Sequence, residues 1–277
     1  MTIKAIVLDI DGTLLTSEKK IAQSTKDALI NAQKKGVTVI LASGRPTSGM
    51  FNLAKELQMD TYEGYLVSYN GAMALDCLTN QPIFSQPIPD DLAKAILEHL
   101  KQFELIPMIN DDTYMYVNDV YQNKITLPEG PFNIIEYESR GGQFKLCEIS
   151  DLATFLDFPL YKILIAGEAD YLQKNYQAIE EPFLDTATAA FSAPFYFEFT
   201  MKGIDKAKAL SEVAKKLSIT AAEVIAFGDG QNDRSIIEYA GIGVAMGNAV
   251  EEIKELADAV TLSNDDDGIA VALEKYL

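Results

Sequence analysis

The sequence predicts an α/β fold: a doubly wound parallel sheet with an inserted α+β domain. Three observations carry this prediction. Strand-like and helix-like segments alternate over residues 1–80 and again from residue 206 onward, the order that builds a parallel sheet with helices on its faces. The strand-like segments are short apolar runs, as strands covered on both faces require. Between these stretches, residues 90–193 mix strands and helices without that alternation.

Taken in order, Lys4–Leu8 reads as the first strand. Ser24–Lys35 follows as a helix, with Ala28, Leu29 and Ala32 on one face and Gly36 as its stop. Val37–Leu41 is the second strand, Thr47–Gln58 the second helix and Tyr65–Ser68 the third strand, which ends at Asn70-Gly71. Gln81–Pro89 holds three prolines and reads as a linker. The middle contains a helix over Asp91–Phe103, strands over Leu105–Ile109, Tyr114–Val117 and Tyr161–Ala166, and a helix over Ala169–Ile179. Ala187–Ala193 and Phe195–Thr200 read as strands, with Pro194 as a return hinge. Alternation then resumes: helix Lys206–Leu217, strand Val224–Phe227, helix Asp233–Tyr239, strand Gly243–Met246, helix Val250–Leu256, strand Ala259–Leu262 and helix Gly268–Tyr276. The expected division is a core of residues 1–82 and 194–277, with an inserted domain of 83–193.

Composition narrows the function. With 277 residues and 48% hydrophobic content, the chain can bury a full core. A formal net charge of −18 argues against nucleic acid or an anionic membrane as a main partner. It also means that an anionic substrate would need local positive charge. Cys77 and Cys147 stand in no metal-ligand or redox spacing, which fits a reduced, cytoplasmic protein. No basic stretch leads into an apolar signal-peptide core, and no run reaches the roughly 18 apolar residues of a membrane helix. The single histidine, His99, lies in a helical segment and reads as a helix-surface residue, so Ser-His-Asp and Cys-His chemistry are disfavoured. The run Asp265–Asp267 before Gly268 reads as a solvated turn or a helix start. Oligomeric state is not legible.

The chemistry gathers where the core strands end. Asp9 and Asp11 close the first strand with one residue between them, and Gly12 follows. Two carboxylates at a buried strand end repel each other unless a cation sits between them, and Mg²⁺ suits hard oxygen ligands. A solvated Asp-x-Asp-Gly turn is the alternative. After the second strand, Ser43-Gly44-Arg45 offers a hydroxyl and backbone N–H groups for phosphate oxygens, or a helix cap and a turn. Asp229 ends the strand Val224–Phe227 and could complete a metal shell; Asp233 could support it or cap the next helix. Lys206 at a helix start is electrostatically odd, and a local anion would account for it. Asn70 is a turn residue that could also aim its amide at a substrate. One shared anion and metal site explains all four strand ends together.

These residues resemble the haloacid dehalogenase superfamily. Asp9–Leu14 matches its Asp-x-Asp-Gly-Thr-Leu signature, Ser43-Gly44-Arg45 the second motif, Lys206 the third and Gly-Asp229-x-x-Asn232-Asp233 the fourth. The long insertion, Ser68-Tyr-Asn70-Gly-Ala and Asn264-Asp-Asp-Asp-Gly268-Ile-Ala resemble the Cof-like sugar-phosphate phosphatases with a type-IIB cap. Ser43 stands where many relatives have Thr, and Ala207 where Gly is usual. The resemblance implies that Asp9 attacks phosphorus to give an aspartyl-phosphate. Asp11 then protonates the leaving alcohol and later deprotonates water. The implied Mg²⁺ is held by Asp9, the backbone carbonyl of Asp11 and Asp229, with Asp233 in support. Ser43, Gly44, Lys206 and Asn232 would hold the phosphoryl group, with Arg45 and Asn70 toward the substrate. A carboxylate about 4 Å from a phosphate dianion is repelled by several kcal/mol even at an effective dielectric near 20, so cations must reverse that sign.

The expected function is therefore Mg²⁺-dependent hydrolysis of small phosphorylated metabolites, sugar phosphates foremost. Two alternatives use the same motifs: a mutase or phosphotransferase on sugar phosphates, and a non-catalytic phosphate-binding module. In the inserted domain, Tyr114, Tyr116, Tyr121, Glu136, Glu148 and Lys162 could face a substrate or support the cap.

Overall fold

The structure is a computed structural model, and it describes residues 2–128 and 130–277. In chain order it begins with β1 (Ala5–Leu8), α1 (Gln23–Lys34), β2 (Thr38–Ala42), α2 (Phe51–Glu56), β3 (Tyr65–Ser68), β4 (Met73–Asp76) and β5 (Gln81–Ser85). There follow α3 (Asp90–Leu100), β6 (Ile106–Asn110), β7 (Tyr114–Val117), β8 (Lys124–Leu127), β9 (Gly130–Asn133), α4 (Ile134–Gly141), β10 (Lys145–Glu148) and α5 (Leu152–Phe155). Next come β11 (Lys162–Ala166), α6 (Ala169–Glu180), β12 (Ala187–Ala193) and β13 (Tyr196–Met201). The chain closes with α7 (Lys206–Leu217), β14 (Val224–Gly228), α8 (Arg234–Tyr239), β15 (Ile242–Ala245), α9 (Glu251–Leu256), β16 (Ala259–Val260) and α10 (Gly268–Tyr276).

The chain divides into two compact units. The first combines the residues up to Ser85 with Ile204–Leu277. Its sheet runs β16-β15-β14-β1-β2-β3-β4-β5. Every pair from β16 to β3 is parallel, and β4 and β5 add an antiparallel edge. Side chains alternate between two covered faces. Ile6, Leu8, Val39, Leu41 and Phe227 pack with Leu29, Ala32, Ile269 and Leu273. Ala5, Val7, Ile40, Val67 and Ala226 pack with Ala209, Leu210, Val213 and Ile236. Helices on both faces make the doubly wound architecture.

The second unit, Gln86–Gly203, holds a sheet of order β10-β7-β6-β11-β13-β12 and the hairpin β8-β9. Only β10 and β7 pair in parallel; the other neighbours are antiparallel. One face carries Ile109, Ile163, Ile165, Phe197 and Phe199 under α3, α5 and α6. Met108, Met115, Val117, Leu164 and Tyr196 on the other meet Ile125, Ile134 and Ile135. This unit is the inserted α+β domain.

Several elements differ from the sequence reading. Gln81–Ser85 is strand β5, not linker: it is an edge strand, where a proline such as Pro82 is tolerated, and its register with β4 shifts between Ala74 and Leu75. Residues 196–201 form β13 inside the second unit's sheet, whereas the sequence reading returns the chain to the core after residue 193. Phe197 and Phe199 fill that unit's core, so Pro194 sits in the turn between β12 and β13. The expected helix over Thr47–Gln58 opens as a 3-10 turn, Thr47–Met50, before α2. His99 is half-buried rather than simply on the surface: its Nε2 lies 3.1 Å from the Ala178 carbonyl oxygen, and its ring meets Phe103 and Phe183 edge-on. Both cysteines are free thiols. Among the described residues, no helix is long and apolar enough to cross a membrane.

One glycine joins the sheet to α7. Gly71 has φ +99°, and a β-carbon there would stand 1.9 Å from the Asp205 carbonyl oxygen. Asp205 is the N-cap of α7, its side chain accepting from Lys208 N at 2.8 Å. Gly71→Ala is therefore expected to lower unfolding free energy in urea by about 1–3 kcal/mol and to shift the start of α7.

Candidate active site

Adjacent parallel strands bring their carboxyl ends to one rim, and the loops after β14, β1, β2 and β3 meet there, on either side of the point where chain order reverses about β1. Asp9 follows β1 and is held level with β14 by its N–H, which donates to the Phe227 carbonyl at 3.1 Å. Ser43 N donates to the Val67 carbonyl at 2.8 Å, and Asn70 N to the Ser43 carbonyl at 2.9 Å, joining the loops after β2 and β3.

The centre of the site is a buried ammonium. Lys206 Nζ donates to Asp9 Oδ1 and to Asp233 Oδ1, each at 2.6 Å. Lys206 and Asp233 are wholly buried, and Asp9 is 5% exposed. Asp233 Oδ2 accepts the N–H groups of Asp229 and Gly230 at 2.9 and 3.0 Å, so Asp233 also organises the loop ahead of α8. Asp229 Oδ1 accepts from Thr13 Oγ1 at 2.7 Å. Gly12, at φ +84°, makes room: a β-carbon there would lie 2.3 Å from Asp229 Oδ2.

Other predicted residues take distinct places. Ser43 is buried, and its Oγ accepts from Arg45 N at 3.2 Å instead of capping a helix. Asn232 Nδ2 donates to Asn70 Oδ1 at 3.2 Å. Asn70 adopts φ 53°, and its amide lies beside Gly44, 3.1 Å from where a Gly44 β-carbon would stand. Arg45 grips Asp11, which is not one of the three carboxylates whose oxygens converge. Thr13, Asn248 and Asn264 carry structural duties that residue type alone did not disclose. Asn248 Nδ2 donates to the Gly12 carbonyl at 2.8 Å, and Asn264 bonds both Asn248 Oδ1 and the Leu15 carbonyl.

In the inserted unit, most of the singled-out side chains have partners of their own. Tyr116 OH donates to Asp111 at 2.6 Å, Glu148 accepts from Val120 N at 3.0 Å and Lys162 pairs with Glu198 at 3.2 Å. Glu136 pairs with Arg140, and Lys145 Nζ lies 5.6 Å from the Tyr114 ring centre. Tyr121 is 87% exposed.

The electrostatics ask for a cation. Asp9, Asp229 and Asp233 each offer an oxygen within 4.8 Å of the others. With all three carboxylates ionised, the Lys206 ammonium leaves two negative charges to balance, which fits a divalent ion with hard oxygen ligands. Both oxygens of Asp233 are engaged, whereas Asp9 and Asp229 each present a second one. Burial, then the Asp233 charge, push the Asp9 carboxyl up to about 8 against the pull of Lys206. Burial pushes Asp229 up to about 6, with its Thr13 hydrogen bond opposing. Burial would strip the Lys206 proton, but Asp233 and Asp9 hold it above the usual lysine range. At Asp11, burial is outweighed by Arg45 and Lys19, which hold the carboxyl below its usual range.

These shifts set a pH dependence. Asp9 and Asp229 hold protons in the folded state at pH values where the unfolded chain, near 3.8, has released them. The native state then binds more protons, so their contribution to stability falls as pH rises. In chelator, unfolding free energy is expected to decline from pH about 4 to about 8, with Mg²⁺ restoring it most at the upper end. Denaturant titrations across that range, with and without Mg²⁺, measure it.

Comparison with known proteins agrees with this fold and site. Residues 6–273 match the haloacid dehalogenase-like hydrolase family. A crystal structure of a haloacid dehalogenase-like hydrolase from Bacteroides thetaiotaomicron superposes with a TM-score of 0.91 at 34% identity, covering 100% of both chains. The solved HAD subclass IIB sugar phosphatase BT4131 gives a TM-score of 0.78 at 26% identity, over 99% of this chain and 98% of that one. The 5-amino-6-(5-phospho-D-ribitylamino)uracil phosphatase YcsE of Bacillus subtilis is 31% identical, over 99% of this chain and 96% of its own length. The chain belongs to the haloacid dehalogenase-like hydrolase family. Within that family it is a phosphoric monoester hydrolase.

Proposed function

We propose that this phosphatase hydrolyses small phosphorylated metabolites, sugar phosphates foremost, with Mg²⁺ and through an aspartyl-phosphate on Asp9. The observation that carries the reading is the buried Lys206 bridge between Asp9 and Asp233, with Asp229 close by. It aims a cation at a carboxylate that would otherwise repel a phosphate.

Asp9 is the nucleophile: one of its oxygens bonds to phosphorus as the ester P–O bond breaks. Asp11 serves as acid and base: once protonated, which its pairs with Arg45 and Lys19 oppose, it gives that proton to the departing alkoxide and then takes one from the water that cleaves the acyl phosphate. Dividing one hard hydrolysis in this way gives two easier displacements. Lys206, Ser43 Oγ, the Gly44 N–H and Asn232 hold the phosphoryl oxygens, and Asn70 orients Asn232. Asp9, Asp229 and the Asp11 carbonyl would hold Mg²⁺, with Asp233 in support. When bound, the ion offsets the charge of both nucleophile and phosphate. The substrate class draws support from the subclass IIB sugar phosphatase and the ribitylaminouracil phosphatase among the similar proteins.

A phosphate-release screen over phosphorylated metabolites, with Mg²⁺ and with chelator, tests the reading. Release from sugar or polyol phosphates that stops in chelator is expected. Release that continues without any divalent ion contradicts the metal assignment, and an isomeric phosphate with little free phosphate would make the protein a mutase.

A further inference from the structure

The turn that carries Asp9 and Asp11 is gripped by two asparagines from the other end of the chain. Residues 9–15 form a wide turn, closed by Leu14 N donating to the Asp9 carbonyl at 3.2 Å and Leu15 N to the Ile10 carbonyl at 2.9 Å. Gly12 stands at its apex, and Asn248 Nδ2 donates to the Gly12 carbonyl at 2.8 Å. Asn264 Nδ2 donates to the Leu15 carbonyl, also at 2.8 Å. The turn is thus held at its apex and at its exit.

The sense of the Asn248 amide is fixed by its second partner. Its Oδ1 accepts from Asn264 N at 3.0 Å, which leaves Nδ2 for Gly12. The segment around Asn248 also reaches the loop of Asp229: Met246 N donates to the Gly228 carbonyl and Val250 N to the Asp229 carbonyl, each at 3.0 Å. Asn248 therefore ties the Gly12 turn to the Asp229 loop, beside the Thr13–Asp229 bond. The acidic run after Asn264 extends this brace. Beyond Leu15 the chain makes a tight hairpin, with Thr16 N donating to the Lys20 carbonyl at 2.9 Å, and Ser17 N donates to Asp265 Oδ1 at 2.8 Å. Ser24 Oγ donates to Asp267, and Ser263 Oγ to Asp266 at 2.6 Å. Asn248 itself is exposed. A hydrogen bond that trades against water adds little net stability, so folding alone does not account for an amide held at both ends.

We propose that Asn248, backed by Asn264, is a positioning residue for the divalent-ion site. It fixes the Gly12 peptide, and through it the spacing of Asp9, the Asp11 carbonyl and Asp229. The inference rests on the reading that these groups hold Mg²⁺. Side chains one layer behind metal ligands orient them, and losing one weakens metal binding by about ten- to hundredfold.

Calorimetric titration of Mg²⁺ alone into the whole chain, without substrate, measures the effect. Asn248→Ala and Asn248→Leu are expected to weaken Mg²⁺ binding about tenfold. Asn264→Ala, which keeps the backbone N–H that bonds Asn248, shows a smaller loss. In phosphate-release assays the Mg²⁺ concentration for half-maximal turnover rises by the same factor, and excess Mg²⁺ recovers turnover. Unfolding in chelator moves little, whereas a brace that served folding alone would lower that stability and leave Mg²⁺ affinity at the parent's value. Parent-like affinity in the Asn248 variants overturns the proposal. A loss of turnover that excess Mg²⁺ does not recover also overturns it, and places Asn248 against the reacting groups. If the parent itself takes up no Mg²⁺, the metal reading fails and this inference fails with it.

Discussion

Lys206→Met is expected to abolish phosphate release and to destabilise the protein at once. Lys206 is the ammonium bonded to both Asp9 and Asp233, and it is wholly buried. Removing it leaves the Asp9 and Asp233 carboxylates without the cation bonded to them, with Asp229 close by. Breaking a buried pair from one side costs about 3–5 kcal/mol, because the orphaned charge has no water to turn to. Turnover falls by about 10²–10³-fold or more from loss of one charge-stabilising donor. Denaturant titration and phosphate-release assays read the two effects separately. Mg²⁺ is expected to return part of the stability but not the turnover.

Asp9→Asn gives the opposite sign in stability with an equally severe loss of activity. Burial and the Asp233 charge already disfavour the ionised Asp9, so a neutral isostere relieves the cluster. In chelator at pH about 8, the variant is expected to unfold at equal or higher denaturant than the parent. Phosphate release falls by at least about 10³-fold, since an amide cannot form the acyl phosphate. A variant that keeps most of the activity removes Asp9 from the nucleophile's role. The two substitutions lie on either side of one 2.6 Å contact, so opposed effects on stability would show that the cluster holds more negative charge than Lys206 offsets.

The parallel strands were legible because each is an apolar run closed by a polar residue. Val37–Leu41 ahead of Ser43 and Val224–Phe227 ahead of Asp229 are examples. Strand adjacency then brings those endings together without further information. Tertiary pairing hid other elements. Pro82 argues for a linker until its strand is known to lie at a sheet edge. Phe197 and Phe199 fit either unit by periodicity, and only their neighbours Ile163 and Ile165 place them in the second. The α4 helix, the β8-β9 hairpin and β10 have runs too short for periodicity to distinguish.

Within the site, Asp9, Lys206, Asp229 and Asp233 were readable as charges that require one another. The duty of Asp11 was less so: chemistry suggests a carboxylate beside the metal, whereas its side chain lies in the Arg45 fork. Lys19 sent no signal, because a lysine in a polar turn is ordinary until the hairpin directs it at Asp11. Thr13 was visible as part of a motif, but its bond to Asp229 spans most of the chain.

The central claim is that Asp9 becomes covalently phosphorylated during turnover. Acid quenching of the enzyme with Mg²⁺ and a good phosphomonoester substrate, followed by peptide mass spectrometry, tests it directly. A phosphoryl group on Asp9, absent from Asp9→Asn, is the predicted result. Rapid turnover with no phosphorylated peptide, or with the label on another residue, would contradict it.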